Sequence, residues 1–341
     1  MEKCYTGFNI TVSSDTEWEE SHLYYLGIDL GGTNIAAGIT DDSFAIIARA
    51  NRKTKVPCEP LELVEDLAQT ALEALANAHL SLNDVPWIGI GCPGTVNRQT
   101  GIVEYANNLY LENFPLKGLL TNRLQKEVII ENDANAAAYG EYKAGALRGA
   151  DNAVAITLGT GVGSGIILNG SVYSGSNFAG GEMGHTVIAY NGRLCTCGRR
   201  GCWEAYSFAT GLIQTTRLHM LLVDPARKSR MWSMVNGNLE QISGRTAFDA
   251  MREGDSLASQ VVDEYISYLA CGIVNCINIF QPDILCIGGG ISNEKETLLT
   301  PLREQVEKQS YNSTNCAKRT KICRAELGND AGIIGAALLR I

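Results

Sequence analysis

The chain has 341 residues, 45% of them hydrophobic and 19% charged, enough for about two domains with sizeable cores and too long for a disulfide-stapled miniature. No apolar run approaches the ~18 residues of a membrane-spanning helix, and the acidic start (Asp15, Glu17, Glu19, Glu20) lacks the basic and apolar regions of a signal peptide, so a cytoplasmic protein without a membrane partner is expected. With 28 Lys+Arg against 37 Asp+Glu, the formal charge of −9 opposes nucleic-acid binding, and 11 cysteines, an odd number, favour reduced thiols or metal ligands over a disulfide framework.

Residues 1–22 show no periodicity and read as an N-terminal extension, a tail or short extra strand, and the glycosylation-like triplets at Asn9 and Asn312 carry no weight in such a chain. Tyr24 to Ile28 reads as a buried strand running into a glycine hairpin, Asp29-Leu-Gly-Gly-Thr-Asn34, with strand composition resuming from Ile35 to Ile39. The spacing of Leu61, Val64, Leu67, Ala68, Ala71, Leu75 and Ala78 predicts a helix over 60–80, and Val85 to Gly91 a strand ending in a Pro-Gly loop. A strand at Val128 to Ile130, a helix from Ala134 to Ala144 and a strand from Ala153 to Leu158 continue the alternation. Leu158-Gly-Thr-Gly161 echoes Leu30-Gly-Gly-Thr33, a weak internal repeat. After a loop-rich, cysteine-bearing stretch (174–205), helices are expected at 245–253 and 256–280, a strand at Ile284 to Ile287 before three glycines, and helices at 294–309 and 330–340.

The chemistry gathers at those glycines. Both strand-ending turns, Asp29-x-Gly31-Gly32-Thr33-Asn34 and Thr157-x-Gly159-Thr160-Gly161-x-Gly163, lack Cβ atoms where main-chain N–H groups could approach phosphate oxygens, although either alone also fits an ordinary hairpin. No Gly-x-x-x-x-Gly-Lys-Ser/Thr is present, so the nucleotide would be held by Asp29 through a divalent metal. Gly89-Ile-Gly-Cys-Pro-Gly94 matches the dinucleotide fingerprint, but the turn-rich Pro93 to Gly101 cannot open the helix that fingerprint requires. Glu131-Asn-Asp-Ala134 lies where a strand gives way to an Ala-rich helix: Asn132 or Asp133 is the N-cap, and Asp133, held ionised by helix amides, is a candidate general base. His185, Cys195, Cys197 and Cys202 are the ligand set of a structural zinc site, although the Cys-x-Cys spacing is not finger-like; Glu182 and Glu204 flank it and suit sugar hydroxyls.

These motifs, with Cys195-Thr-Cys-Gly-Arg-Arg-Gly-Cys-Trp-Glu204 and Ile287-Gly-Gly-Gly-Ile291, resemble the ROK family (repressors, open reading frames and kinases) from about Tyr24 to Ile341, its glucokinases most of all. The resemblance implies an α/β, actin-like ATPase (ribonuclease H-like) fold, with residues 23–140 plus 326–341 as a small α/β domain, 141–325 as a large one carrying the zinc loop, and the active site in the cleft between them. It implies ATP-dependent phosphorylation of the 6-hydroxyl of glucose, with Asp133 as base and Gly94, Thr95, Asn107, Asn132, Glu182, His185 and Glu204 on the hexose. Asp29, Gly31, Gly32, Thr33, Asn34, Thr160 and Gly161 would hold the ATP phosphates and Mg²⁺, Gly289 and Gly290 would lie near the adenosine, and the zinc would sit on His185, Cys195, Cys197 and Cys202. Assembly as dimers or tetramers is implied too. Other acceptors (N-acetylmannosamine, N-acetylglucosamine, mannose, fructose) stay open, and a sugar-responsive repressor is the alternative of another class, disfavoured because about 22 residues before the first core strand are too few for a helix-turn-helix domain.

Overall fold

The computed structural model describes residues 23–159, 161–224, 226–311 and 318–341; the expected extension at 1–22, Thr160 and the triplets at Asn9 and Asn312 lie outside the described residues. In the first half the apolar run before the glycine hairpin forms β1 (Tyr25–Leu30), which returns as β2 (Asn34–Thr40) and continues to β3 (Ile46–Lys53). Helix α1 (Pro60–Asn77) opens on a proline, whose missing N–H costs nothing at a first turn. It buries Leu63, Val64, Leu67, Ala68 and Ala71 and stops ahead of His79, which adopts a left-handed φ of 58°. Then come β4 (Ile88–Cys92), the meander β5 (Thr95–Asn97), β6 (Ile102–Ala106) and β7 (Leu111–Phe114), α2 (Leu116–Leu124), β8 (Val128–Asn132) and α3 (Asp133–Ala144).

The second half holds β9 (Ala153–Leu158), β10 (Val162–Leu168) and β11 (Ser171–Val172), then the cysteine loop. Five helices follow, α4 (Glu204–Ser207), α5 (Ala209–Leu222), α6 (Arg230–Met234), α7 (Thr246–Arg252) and α8 (Ser256–Phe280). The chain closes with β12 (Ile284–Gly288), α9 (Glu296–Gln309), β13 (Lys321–Arg324) and α10 (Ala331–Ala337). The final helix is shorter than the composition of 330–340 predicts.

The weak sequence echo is a duplicated sheet. One sheet runs β3-β2-β1-β4-β8 and the other β11-β10-β9-β12-β13. In each, the first three strands are antiparallel neighbours, while the last two run parallel to the strand that opens the unit. Each sheet has its own apolar core: Leu26, Ile28, Leu67 and Ile90 in the first, Ile156, Phe248, Tyr265 and Leu285 in the second.

Between them lie α3 and α10, whose Gly- and Ala-rich faces let backbones meet. A Cβ on Gly89 would stand 1.7 Å from the Ala336 carbonyl oxygen, and one on Gly335 1.7 Å from that of Ala136. The dinucleotide-like glycines are thereby explained: Gly89 faces α10, Gly91 faces α3, and Gly94, at φ 96°, leads into strand β5 and no helix. Asp29 pairs with Gly91, and Gly91 with Glu131, so β1, β4 and β8 end side by side. Gly288 pairs with Thr157 at the matching edge of the second sheet. Open sheets with parallel strands bind ligands at such carboxyl ends.

Candidate active site

The two edges enclose a cleft of about 1000 Å³. Among the residues expected from sequence, Asp29, Gly94, Asn132 and Asp133 line it from the first sheet. Glu182, His185 and Glu204 line it from the cysteine loop and its flanks, and Gly161, Gly289 and Gly290 from the second sheet. Thr95, Asn107 and the hairpin Gly31, Gly32, Thr33 and Asn34 stand outside its wall, with Asn107 bound by the Tyr105 hydroxyl at 3.2 Å. Gly32 sits against Asn108, which does line the cleft, and Thr160 lies outside the described residues.

Local and tertiary forces meet at Asp133. Asn132 is the N-cap of α3: its side chain accepts from the Asn135 N–H at 3.1 Å and donates to the Gly94 carbonyl at 3.0 Å, tying the Pro-Gly loop to the helix start. Buried Glu131 accepts from the Asn132 N–H at 2.9 Å and the Asn135 side-chain amide at 3.1 Å. Asp133 Oδ1 accepts from the Ala134 N–H at 2.9 Å. That amide pulls its pKa down, but burial is the larger influence and raises it. A carboxylate of raised pKa is a stronger base for a hydroxyl proton. Asp29 is pushed up to about 6, first by burial and then by the charge of Asp133. Burial also raises Glu182, with Asp133 and Glu204 adding to the rise and His185 opposing it.

The cysteine loop brings its four expected ligands together: one donor atom each from His185, Cys195, Cys197 and Cys202 lies within 4.8 Å of the others. Tetrahedral zinc, with bonds of about 2.3 Å to sulfur and 2.0–2.1 Å to nitrogen, separates two sulfurs by about 3.8 Å and a sulfur from a nitrogen by about 3.6 Å. The Cys197 and Cys202 sulfurs are 3.7 Å apart, and Cys195 Sγ is 3.6 Å from His185 Nδ1, so the residues fit that ion. Arg193 anchors the loop, stacking 4.6 Å from the Tyr206 ring and donating to Thr215 Oγ1 at 2.9 Å. Glu204 is oriented by the Val162 N–H at 2.9 Å and the Thr196 hydroxyl at 3.0 Å. The same loop thus carries the ligand cluster and three groups that face the cleft.

At the other end Gly289, with φ 83°, passes so near Leu158 that a Cβ would lie 2.2 Å from its carbonyl oxygen. Ser292, Asn293, Arg324 and Asn329 complete this wall and were not foreseen. The only sequence signal was the turn-forming Gly328-Asn329-Asp330 ahead of the last helix. Among the described residues no helix is long and apolar enough to cross a membrane, and nine cysteines are free thiols.

Comparison with known proteins adds to this geometry. The family model described as ROK family matches residues 25–341. A glucokinase of Thermotoga maritima is 37% identical over 318 residues, covering 92% of this chain and 96% of that protein. The crystal structure of a ROK family glucokinase from Streptomyces griseus in complex with glucose and AMPPNP is 32% identical, with a TM-score of 0.74 over 93% of this chain and 98% of that one. A putative xylose repressor of Caldicellulosiruptor sp. is 30% identical, over 84% of this chain and 70% of the repressor.

Proposed function

We propose, from the premise that this chain belongs to the ROK family and is an ATP-dependent sugar kinase, that its acceptor is glucose and its product glucose 6-phosphate, at the entry to glycolysis. The observation that carries the reading is Asp133: a half-buried carboxylate of raised pKa on the cleft wall, shared with Glu182, His185 and Glu204 and with the glycines of the second sheet. Asp133 accepts the proton of the 6-hydroxyl as that oxygen bonds to the γ-phosphorus and the bond to the β-phosphate oxygen breaks, releasing ADP.

Asn132, Glu182, His185 and Glu204 orient the sugar, with Gly94, Thr95 and Asn107 on the loop beside it. On the resemblance, Gly31, Gly32, Thr33 and Asn34, although outside the cleft wall, would take the phosphates together with Thr160 and Gly161, and Gly289 and Gly290 would take the adenosine side. Mg²⁺, when bound, neutralises phosphate charge, and Asp29 is the carboxylate that would hold it. A structural Zn²⁺ on His185, Cys195, Cys197 and Cys202 would hold the sugar loop in shape and leave the second ring nitrogen of His185 for a hydroxyl.

Hexoses and N-acetylhexosamines differ at positions that one or two side chains discriminate. The test is kcat/KM across glucose, mannose, fructose, N-acetylglucosamine and N-acetylmannosamine. Glucose is expected to lead, and a preference above about tenfold for an acetylated sugar overturns it.

A further inference from the structure

The helix that opens on Asp133 carries a second acid for which the chemistry above has no use. Glu141 lies eight residues, about 12 Å, along α3 and is 2% exposed. Its carboxylate accepts from three main-chain N–H groups, Oε2 from Ala146 at 2.8 Å and Glu326 at 3.1 Å, and Oε1 from Leu327 at 2.8 Å. The first of these closes the turn after α3, where Gly145 leaves room: a Cβ there would stand 2.1 Å from Glu141 Oε2. The other two reach the segment between β13 and α10, 185 and 186 residues away in sequence.

That segment is a wall of the cleft. It follows β13 at the edge where β12 ends, with Ala325 beside Gly288, and runs into Gly328 and Asn329, which line the same cavity as Gly289 and Gly290. A buried carboxylate persists only with good partners, and three N–H donors supply charge-assisted bonds. Taking N–H groups on both oxygens at once needs a carboxylate, since an amide side chain turns a donor toward one of them. The neighbouring helix contact is equally close: a Cβ on Gly140 would lie 2.4 Å from the Ala331 carbonyl oxygen. The helix that opens on the base and the Gly328–Asn329 wall are therefore joined by this side chain as well as by helix packing.

We infer that Glu141 is a positioning residue for phosphoryl transfer, pinning the 326–329 wall of the nucleotide end to the helix whose first residue is the base. This rests on the proposed assignment of the Gly289–Gly290 side to the nucleotide. The test is steady-state kinetics of Glu141→Gln with ATP and glucose varied separately, alongside its thermal unfolding. The expected result is a KM for ATP raised about tenfold, from the lost charge-assisted bonds, with the KM for glucose within about twofold.

Equal changes in both constants, or a lowered unfolding midpoint with neither constant moved, would overturn the role and leave Glu141 a structural residue. Gly145→Ala, which displaces the carboxylate without removing its charge, gives the same readout should the glutamine variant not fold. Turnover of ATP and glucose by the unaltered enzyme, with a Gly290→Ala variant (a position open to a Cβ) that raises the KM for ATP, checks the reaction and the nucleotide-side assignment independently. If those hold while the Glu141 and Gly145 variants keep the original KM for ATP, only the Glu141 inference falls.

Discussion

The two sheets share a strand order and differ in what stands at the edge facing the cleft. The first ends in acid, with Asp29 at the end of β1 and Asp133 just past β8, both raised by burial. The second ends in glycine, with Gly159 and Gly161 after β9 and Gly288 to Gly290 closing β12. The same scaffold thus supplies a carboxylate wall and a main-chain wall, and the contrast suits phosphoryl transfer. In the proposed reaction the first side would take a proton and hold a cation, while the glycines of the second would approach phosphate oxygens through their main chain.

The sharpest break of this division is Asp133→Asn. Without the base, kcat should fall ~10²–10⁴-fold, and retained circular dichroism and sugar affinity would confine the loss to the chemical step. Near-normal turnover from a folded variant would end the assignment of the acid edge. Metal removal comes next and tests the cysteine loop, which belongs to neither edge. Purified protein should carry about one zinc per chain, and chelation should raise the KM for glucose ~10–100-fold, the range found when a metal site's supporting groups are lost, while the KM for ATP holds. Equal loss for both substrates would separate the loop from the sugar.

The smallest effect concerns Asp29. Its folded pKa of about 6 exceeds the ordinary 3.8, so the native state holds that proton more tightly; the resulting stability is full below 3.8 and is lost as pH rises through about 6. Asp29→Asn should therefore raise the unfolding midpoint at pH 7.5, without nucleotide or divalent cation, by about 1–3 °C. At pH 4 the difference should shrink. An unchanged or lowered midpoint at pH 7.5 would show that the acid edge is not strained by its own burial and charge.

Much of this was legible from neighbours along the chain. The α1 periodicity, an N-cap at Asn132 or Asp133, the glycine turns and the rejection of the dinucleotide fingerprint rest on short-range rules; the structure agrees with them and chooses Asn132 as the cap. The short β5–β7 meander offered no run long enough to read, and α2, buried only through Leu116, Leu120 and Leu124, carries too narrow a stripe. Ser292, Asn293 and Asn329 are isolated polar residues that become a wall only when β12 and β13 lie side by side.

Composition and motif thus determined the alternation of strands and helices, the zinc-type ligand set and the residue types at the cleft, because capping, turn geometry and ligand chemistry depend on a few adjacent residues. Only the tertiary structure decided that the halves are the same sheet twice, that Gly89 and Gly335 serve close helix packing, and that burial overrides the helix amides at Asp133. Those outcomes depend on strand pairing and desolvation among residues tens to hundreds of positions apart.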